Sequence, residues 1–251
     1  MFCRILPAFL HPVYFSVAFS AAASSVPKEQ SAKAVSRVFT GLTVGMVLGI
    51  PITSLLGNQL KILVKPQLWF NIAATCFILA ALYSVYSYFA EYLRIVTNMN
   101  GKTISIMLIL FGASGVFGNL QAAKLLSKSV VKTTIFYPLL LGIIYLLVFS
   151  VGNYTIPMIL IIIAWGAVFT SGLIISQTWL TLRPQRLARF GNSLFVSFAN
   201  LGITIGTASG GWFLSQMGTH QIVWSGILFL MLAFICIGVK IKLFDLKEVK
   251  V

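Results

Sequence analysis

The stretch NLGITIGTASGG, residues Asn200 to Gly211, places three glycines four residues apart in an apolar, uncharged segment. Residues four apart lie on one face of a helix, but glycine inside a soluble helix costs about 1 kcal/mol relative to alanine. Between helices solvated by lipid, no hydrophobic force favours association, and small residues that permit close backbone approach take its place. The stretch therefore predicts a membrane helix that packs tightly along Gly202, Gly206 and Gly210.

Two other segments repeat this pattern. FGASGVFGN contains Gly112, Gly115 and Gly118, and GLTVGMVLGIPITSLLG, residues 41–57, contains a further glycine series followed by a proline. Neighbouring helices in a membrane can satisfy the backbone groups that such a proline leaves free. Each motif alone is typical of generic membrane-helix packing, whereas three such helices favour a bundle whose helices slide or rock against each other. The residues of the longer segment that we assign to helix packing are Gly41, Gly45, Gly49 and Pro51.

The composition supports a membrane protein. The 251 residues are 59% hydrophobic and 9% charged, whereas soluble chains have about 25% charged residues. The formal net charge of +14 would suggest nucleic-acid binding in a soluble protein. Here the basic residues lie between apolar runs, where they act as topology signals and contact anionic lipid headgroups. We therefore expect the lipid bilayer as a partner and no nucleic acid.

The fold class expected is an all-α polytopic membrane bundle of about eight transmembrane helices. A bilayer-crossing helix needs about 20 mostly apolar residues, and eight segments approach that length. They lie near residues 5–24, 38–56, 68–89, 104–120, 134–151, 156–175, 194–213 and 222–239.

Basic residues follow the fourth span, the sixth span and the last span, and alternation places these three connections on one side, which we assign to the cytoplasm. The first connection is also basic, yet alternation of eight spans places it outside. One further crossing between Leu56 and Leu68 would remove this conflict. A re-entrant segment and a tolerated violation of the charge rule are the alternatives.

Several segments resemble exporters of the major facilitator superfamily. GMVLGIPITSLLG is similar to the glycine–proline motif of the family's fifth helix, with Ile50 between the last glycine and the proline, as in the arabinose-efflux-permease branch of the drug:proton antiporters. PKEQSAKAVSRVFTGL resembles the loop before that helix, and YSYFAEYL the outer end of the seventh. FGASGVFGNLQAAKLLSK resembles the eighth helix and the loop after it. RPQRLARFGNSLFVSFANLGITIGTASGG resembles the tenth–eleventh loop and the eleventh helix.

This resemblance implies a truncated copy. It assigns residues 1–60 to a remnant of the N-terminal half with two helices and residues 61–251 to a six-helix C-terminal half. The family's first three helices and its sixth would be missing, which agrees with the charge distribution. The implied function is efflux of a small solute by alternating access, coupled to proton antiport, in a bacterial cytoplasmic membrane. An incomplete copy would be weakly active or inactive. The alternative is a non-transporting membrane scaffold or assembly partner, and the sequence indicates neither the solute nor the oligomeric state.

Three ionisable residues near or inside spans are candidates for proton coupling, because burying such groups in lipid is costly. Arg4 occupies the position of the arginine in a motif resembling that of the family's fourth helix, or it extends to the membrane interface. His11 could carry a proton near neutral pH or lie at a helix interface. Glu91 could bind a proton or a cation, or lie in the headgroup layer beside Arg94.

Five polar or aromatic residues are candidates for a solute cavity. Tyr83, Tyr86 and Ser87 combine aromatic and hydroxyl groups near the end of one span, which suits an amphipathic solute, although an interfacial aromatic belt is the alternative. Gln177 and Asn200 lie on spans that resemble cavity-lining helices, and interhelical hydrogen bonding is an equal possibility for them.

No enzymatic chemistry is expected. Cys3, Cys76 and Cys236 are isolated, no phosphate-binding loop of the GxxxxGK[ST] type occurs, and no cluster of His, Cys or Asp suggests a metal. We therefore predict no cofactor and no metal. An ion gradient would supply the energy for transport.

Overall fold

The computed structural model describes residues 66–181 and 188–245, all of which belong to the unit Pro51–Val251. The first two predicted spans and most of the segment between Leu56 and Leu68 lie outside these residues. So do several candidate residues, namely Arg4, His11, Gly41, Gly45, Gly49 and Pro51. The division of the chain at residue 60 therefore stays a prediction.

The described residues form seven α-helices and two short helical turns. The helices are α1 (Pro66–Tyr86), α2 (Phe89–Ile95), α3 (Gly101–Lys128), α4 (Val130–Val151), α5 (Thr155–Thr181), α6 (Ala188–Met217) and α7 (Ile222–Lys240). A 3₁₀ turn at Thr219–Gln221 precedes α7, and a π-helical turn at Ile241–Asp245 follows it.

Six helical segments are long and apolar enough to cross a bilayer, and they correspond to the six predicted spans within the described residues. They are Pro66–Ile95, Gly101–Lys128, Val130–Val151, Thr155–Thr181, Leu194–Met217 and Thr219–Phe244. The predicted all-α polytopic membrane fold is thus confirmed.

Local sequence signals set several helix ends. The Asn100 side chain accepts a hydrogen bond from the Thr103 amide at 2.9 Å and caps α3. Ser129 is the one residue between α3 and α4, and its hydroxyl accepts from the Lys132 amide at the start of α4. Gly218 adopts φ 87° after α6, a conformation that glycine adopts without steric cost and that ends the helix before the 3₁₀ turn.

The packing has an internal symmetry. α1 packs against α6 and α7, α5 packs against α3 and α4, and α4 also contacts α7. Exchanging the first three long helices (α1, α3, α4) with the last three (α5, α6, α7) reproduces these main contacts. Each set crosses the membrane three times, so the first helix of the second set enters the membrane from the side opposite to the first helix of the first set. The two sets therefore run in opposite directions, which is the arrangement of an inverted repeat.

The interior and the outer surface of the bundle are both apolar. Trp165, Tyr145 and Phe89 are completely buried among the helices. Large side chains such as Phe117 and Ile156, which are 70% and 76% exposed, point outwards. An apolar exterior of this extent matches a hydrocarbon environment.

Candidate solute-binding site

A series of glycines on α6 brings that helix against the backbone of α1. A Cβ atom at Gly202, Gly206 or Gly210 would collide with backbone atoms of α1. The α1 residues met in this order are Cys76, Ala80 and Ser84, which are also spaced by four. The two helices therefore touch along matching rows, and the glycines make that contact possible.

The contact between α3 and α5 has the same character. Gly118 of α3 lies against the backbone of Ala167, and Gly115 lies against the side chain of Thr170. The Thr170 hydroxyl donates a hydrogen bond to the Gly115 carbonyl at 2.8 Å, and the Ser171 hydroxyl donates to the Gly118 carbonyl at 2.9 Å. Small residues thus bring α3 and α5 close enough for hydroxyl–carbonyl hydrogen bonds.

Two glycines here differ from what the sequence suggested. Gly112 takes no part in the contact, because a Cβ atom there would meet nothing within 4 Å. Gly166 of α5, which sequence reasoning missed, lies against the Phe111 carbonyl and the Ser114 side chain. The signal that could have identified Gly166 is its spacing of four from Thr170, a second small residue.

Tyr83 and Tyr86, two of the predicted cavity residues, belong to an aromatic cluster between α1, α3 and α5. The ring centroid of Tyr86 lies 4.6 Å from that of Phe169 and 5.2 Å from that of Phe111. Tyr83 lies 5.5 Å from Phe169. Both tyrosines remain partly exposed. Aromatic rings at these separations attract one another, so the buried Phe111 and Phe169 support the two tyrosines, which form the partly exposed edge of the cluster.

Ser87, the third predicted residue, pairs with a residue that sequence reasoning missed. Its Oγ lies 3.0 Å from Oγ1 of Thr207 on α6, in an exposed position. The Tyr88 hydroxyl donates a hydrogen bond to the Thr207 carbonyl at 3.0 Å. The same hydroxyl lies against Gly211, where an added Cβ atom would crowd the hydroxyl. Thr207 directly follows a glycine of the α6 series, and this adjacency is the sequence signal that places it beside α1.

The Ser87–Thr207 pair has hydrogen-bonding capacity to spare. Most hydroxyls in the bundle donate to their own helix, as Thr75 donates to the Asn71 carbonyl and Thr204 to the Asn200 carbonyl, both at 2.9 Å. Ser87 and Thr207 bond to each other, and only one hydroxyl hydrogen can occupy the space between them. The second hydrogen and the remaining lone pairs can therefore serve an external partner.

Gln177 and Asn200 lie away from this aromatic and hydroxyl surface. Gln177 is exposed near the end of α5, eight residues beyond Phe169, which corresponds to about 12 Å along a helix. Asn200 is seven residues before Thr207, or about 10 Å, and its amide donates to the Val196 carbonyl at 2.7 Å. Both residues lie toward the lysine-rich end of the bundle, which carries Lys128 at the end of α3, and their role as cavity residues stays a prediction.

Glu91 lies in the first turn of α2, and Arg94 lies in the last turn of the same helix. A carboxylate near a helix N-terminus and a cation near the C-terminus both interact favourably with the helix dipole. Glu91 is partly exposed, whereas Arg94 is exposed. A role of Glu91 in proton coupling stays a prediction.

At the end of the bundle that carries α2, several contacts connect the C-terminus of α4 to neighbouring segments. The Tyr92 hydroxyl donates to the Val148 carbonyl at 2.9 Å, and Thr97 Oγ1 donates to the Gly152 carbonyl at 2.7 Å. His220 Nε2 lies 2.9 Å from the Phe149 carbonyl oxygen, and its ring centroid lies 4.4 Å from that of Phe149. We call these contacts the α4 clamp, because they hold the C-terminus of α4 against α2 and the 3₁₀ turn.

The opposite end carries a buried cation. Lys240, which is 8% exposed, places its Nζ 4.1 Å from the ring centroid of Trp179. An ammonium group over an indole face is stabilised by cation–π attraction. Within residues 66–181 and 188–245, no group of three or more His, Cys, Asp or Glu side chains is arranged to hold a metal ion.

Comparison with known proteins finds relatives of low identity. The chain is 25% identical over 172 residues to the transcription regulatory protein OpdE of Pseudomonas aeruginosa, which covers 68% of this chain and 43% of OpdE. It is 26% identical to the inner membrane transport protein YdhP of Escherichia coli K12, with 84% of this chain and 64% of YdhP covered. It is 22% identical to the uncharacterized MFS-type transporter YtbD of Bacillus subtilis, with 94% of this chain and 70% of YtbD covered.

No protein-family model matches the chain. The chain spans between 43% and 70% of the length of these three relatives. It is thus a multi-pass membrane protein similar, at low identity and over part of their length, to transporters that include one of the major facilitator type.

Proposed function

We propose that the chain is a transporter of the major facilitator type that moves a small solute across the membrane by alternating access. The observation that carries this proposal is the partly exposed surface formed by Tyr83, Tyr86, Ser87 and Thr207, where aromatic rings adjoin unused hydrogen-bonding groups. The inverted contact pattern of the six membrane-length helices and the names of YdhP and YtbD support it.

This surface suits an amphipathic solute with hydrogen-bonding groups. Ring faces would contact an apolar or aromatic portion, and the Ser87–Thr207 pair would donate to and accept from polar atoms. Efflux driven by proton antiport is the finer part of the proposal. Its candidates for proton coupling are Arg4, His11 and Glu91.

The chain is further proposed to be an incomplete copy with weak activity on its own. The alignment with YtbD extends over 279 residues, more than the 251 of this chain, so YtbD has residues inside the aligned region that this chain lacks. Alternating access requires two halves that rock about a central site. A chain with one six-helix half and a remnant of the other would close that site poorly.

Proteoliposomes containing the purified chain provide the test, with uptake of a panel of radiolabelled sugars and cationic dyes measured under an imposed pH gradient. A second sample would contain residues 61–251 preceded by the first half of YdhP. We expect weak or no flux from the chain alone and a clear gain with the added half. A gain that the Thr207→Val substitution reduces would support the proposed surface. Absence of flux in both samples would favour the alternative, a non-transporting membrane scaffold.

A further inference from the structure

A groove of about 390 Å³ runs along the outside of the bundle between α4 and the end of α7, a size within the usual range of ligand sites, about 300–1,000 Å³. It lies outside the proposed solute-binding surface, on two other helices. Its lining consists of Ile135 from α4 and of Phe234, Ile237, Gly238, Ile241 and Lys242 from the α7 end.

A missing side chain creates the depth of this groove. A Cβ atom at Gly238 would meet nothing within 4 Å, so open space lies directly over the backbone of α7 at this point. Phe234 lies one turn before this glycine, and the π-helical turn begins at Ile241, one turn after it. Lys240, the last residue of α7, is buried over Trp179, whereas Lys242 in the π-helical turn is exposed at the groove.

The groove is apolar along its length and positively charged at one end. Lys242 lines that end. Lys132 on α4 is exposed and precedes Ile135 by three residues, so it lies on the same face of α4, one turn closer to the helix N-terminus. The charged end coincides with the lysine-rich end of the bundle, which carries Lys128 at the end of α3.

We propose that this groove binds one anionic phospholipid of the bilayer, with an acyl chain along the Phe234–Gly238 segment and the phosphate at Lys242 and Lys132. An acyl chain gains little from leaving other acyl chains, because both environments are apolar. Selectivity must therefore come from the headgroup, and each lysine near an anionic lipid surface contributes roughly a fivefold preference.

Charge complementarity favours a lipid over a second copy of the chain. A two-fold interface across this groove would bring the same lysine of both copies to one small surface, where like charges repel. An anionic headgroup meets the same lysines with attraction, and a single acyl chain matches a groove whose depth is set by one glycine.

Native mass spectrometry of the full chain provides the test, after extraction from vesicles of equal parts phosphatidylglycerol and phosphatidylcholine. We expect wild-type protein to retain one phosphatidylglycerol in preference to phosphatidylcholine. Lys242→Gln is expected to lower this preference about fivefold, and Lys242→Arg to keep it. Gly238→Leu is expected to abolish retention of the tightly held lipid, since the Cβ position at Gly238 is open and the new side chain would occupy the groove.

Two matched variants serve as controls. Gly112→Leu introduces the same side chain at another glycine with open space over its Cβ position, and Lys102→Gln removes an exposed lysine from the first turn of α3. Neither should change lipid retention. Equal retention of the two lipids by wild-type protein would overturn the proposal, as would unchanged retention in Gly238→Leu. If the wild-type protein is a dimer and Gly238→Leu dissociates it, the groove is an interface between copies of the chain. None of these results depends on solute transport.

Discussion

At the residue scale, the glycines of α6 and the glycine at position 112 make a sharp contrast. Each glycine of the α6 series faces a backbone carbonyl of α1, whereas Gly112 faces open space. All of them belong to small-residue patterns in the sequence. A pattern indicates which face of a helix can approach a neighbour closely, but it does not say whether a neighbour is present there.

This contrast gives a prediction of opposite outcomes for one substitution. Gly206→Ala should destabilise the protein by about 1–3 kcal/mol, because the new Cβ atom would overlap the backbone of Ala80 and force α1 and α6 apart. Gly112→Ala should be neutral or stabilise by at most about 1 kcal/mol. Thermal unfolding in detergent, followed by size-exclusion chromatography of the protein that stays folded, measures both. Equal melting temperatures for the two variants would contradict the close contact of α1 and α6.

A second prediction concerns the hydroxyl pair of the proposed site. Thr207→Val keeps the shape of the side chain but removes the hydroxyl, so Ser87 loses its partner and the solute loses a hydrogen-bonding group. We expect a change in stability of no more than about 1 kcal/mol, together with roughly a tenfold loss of solute affinity. Thr204→Val is the control, since Thr204 is exposed on the same helix but bonds to the Asn200 carbonyl.

The affinity is measured by titration of the solute identified in the flux assay, in detergent. A Thr204→Val variant that loses as much affinity as Thr207→Val would show that the pair has no special role.

At the element scale, the sequence predicted the helices well and their partners poorly. Apolar length and charged boundaries placed the six described spans, because a bilayer imposes both. Tyr83, Tyr86 and Ser87 were chosen for their chemistry, and the structure pairs the two tyrosine rings with each other and Ser87 with Thr207. Thr207 and Phe169 were missed because they come from other helices, and periodicity along one helix carries no information about which helix lies opposite. For the same reason, sequence spacing did not reveal that Asn200 bonds to its own helix.

The α4 clamp gives a prediction at this scale. Tyr92→Phe removes the hydrogen bond to the Val148 carbonyl, which should cost about 0.5–1.5 kcal/mol and loosen the C-terminal turn of α4. Hydrogen–deuterium exchange should become faster in residues 148–152 and stay unchanged in α3. Tyr154→Phe is the control, because Tyr154 is 64% exposed on the adjoining loop. Unchanged exchange in Tyr92→Phe would mean that the remaining clamp contacts suffice to hold α4.

At the scale of the whole molecule, the two ends of α4 constrain how the chain crosses the membrane. The loop at Ser129 and the loop at Gly152–Tyr154 lie at opposite ends of α4 and must face opposite sides of a bilayer. Lysines cluster at the first of these ends, which the charge bias assigns to the cytoplasm. The basic first connection, residues 27–37, would share that side only if the chain crosses the membrane once more than the eight predicted spans allow.

Cysteine labelling tests this last prediction in the full chain. Single cysteines at Ser31, Ser127 and Asn153 would be introduced after replacement of the native cysteines by alanine, and labelled with a membrane-impermeant maleimide in intact cells. We expect Asn153→Cys to react, and Ser127→Cys and Ser31→Cys to react only after the cells are opened. That outcome requires an additional passage between Ser31 and Ser127, as the proposed rearranged transporter does. If Ser31→Cys reacts together with Asn153→Cys, eight simple crossings suffice, and the resemblance of the first two spans to the family's fourth and fifth helices must be abandoned.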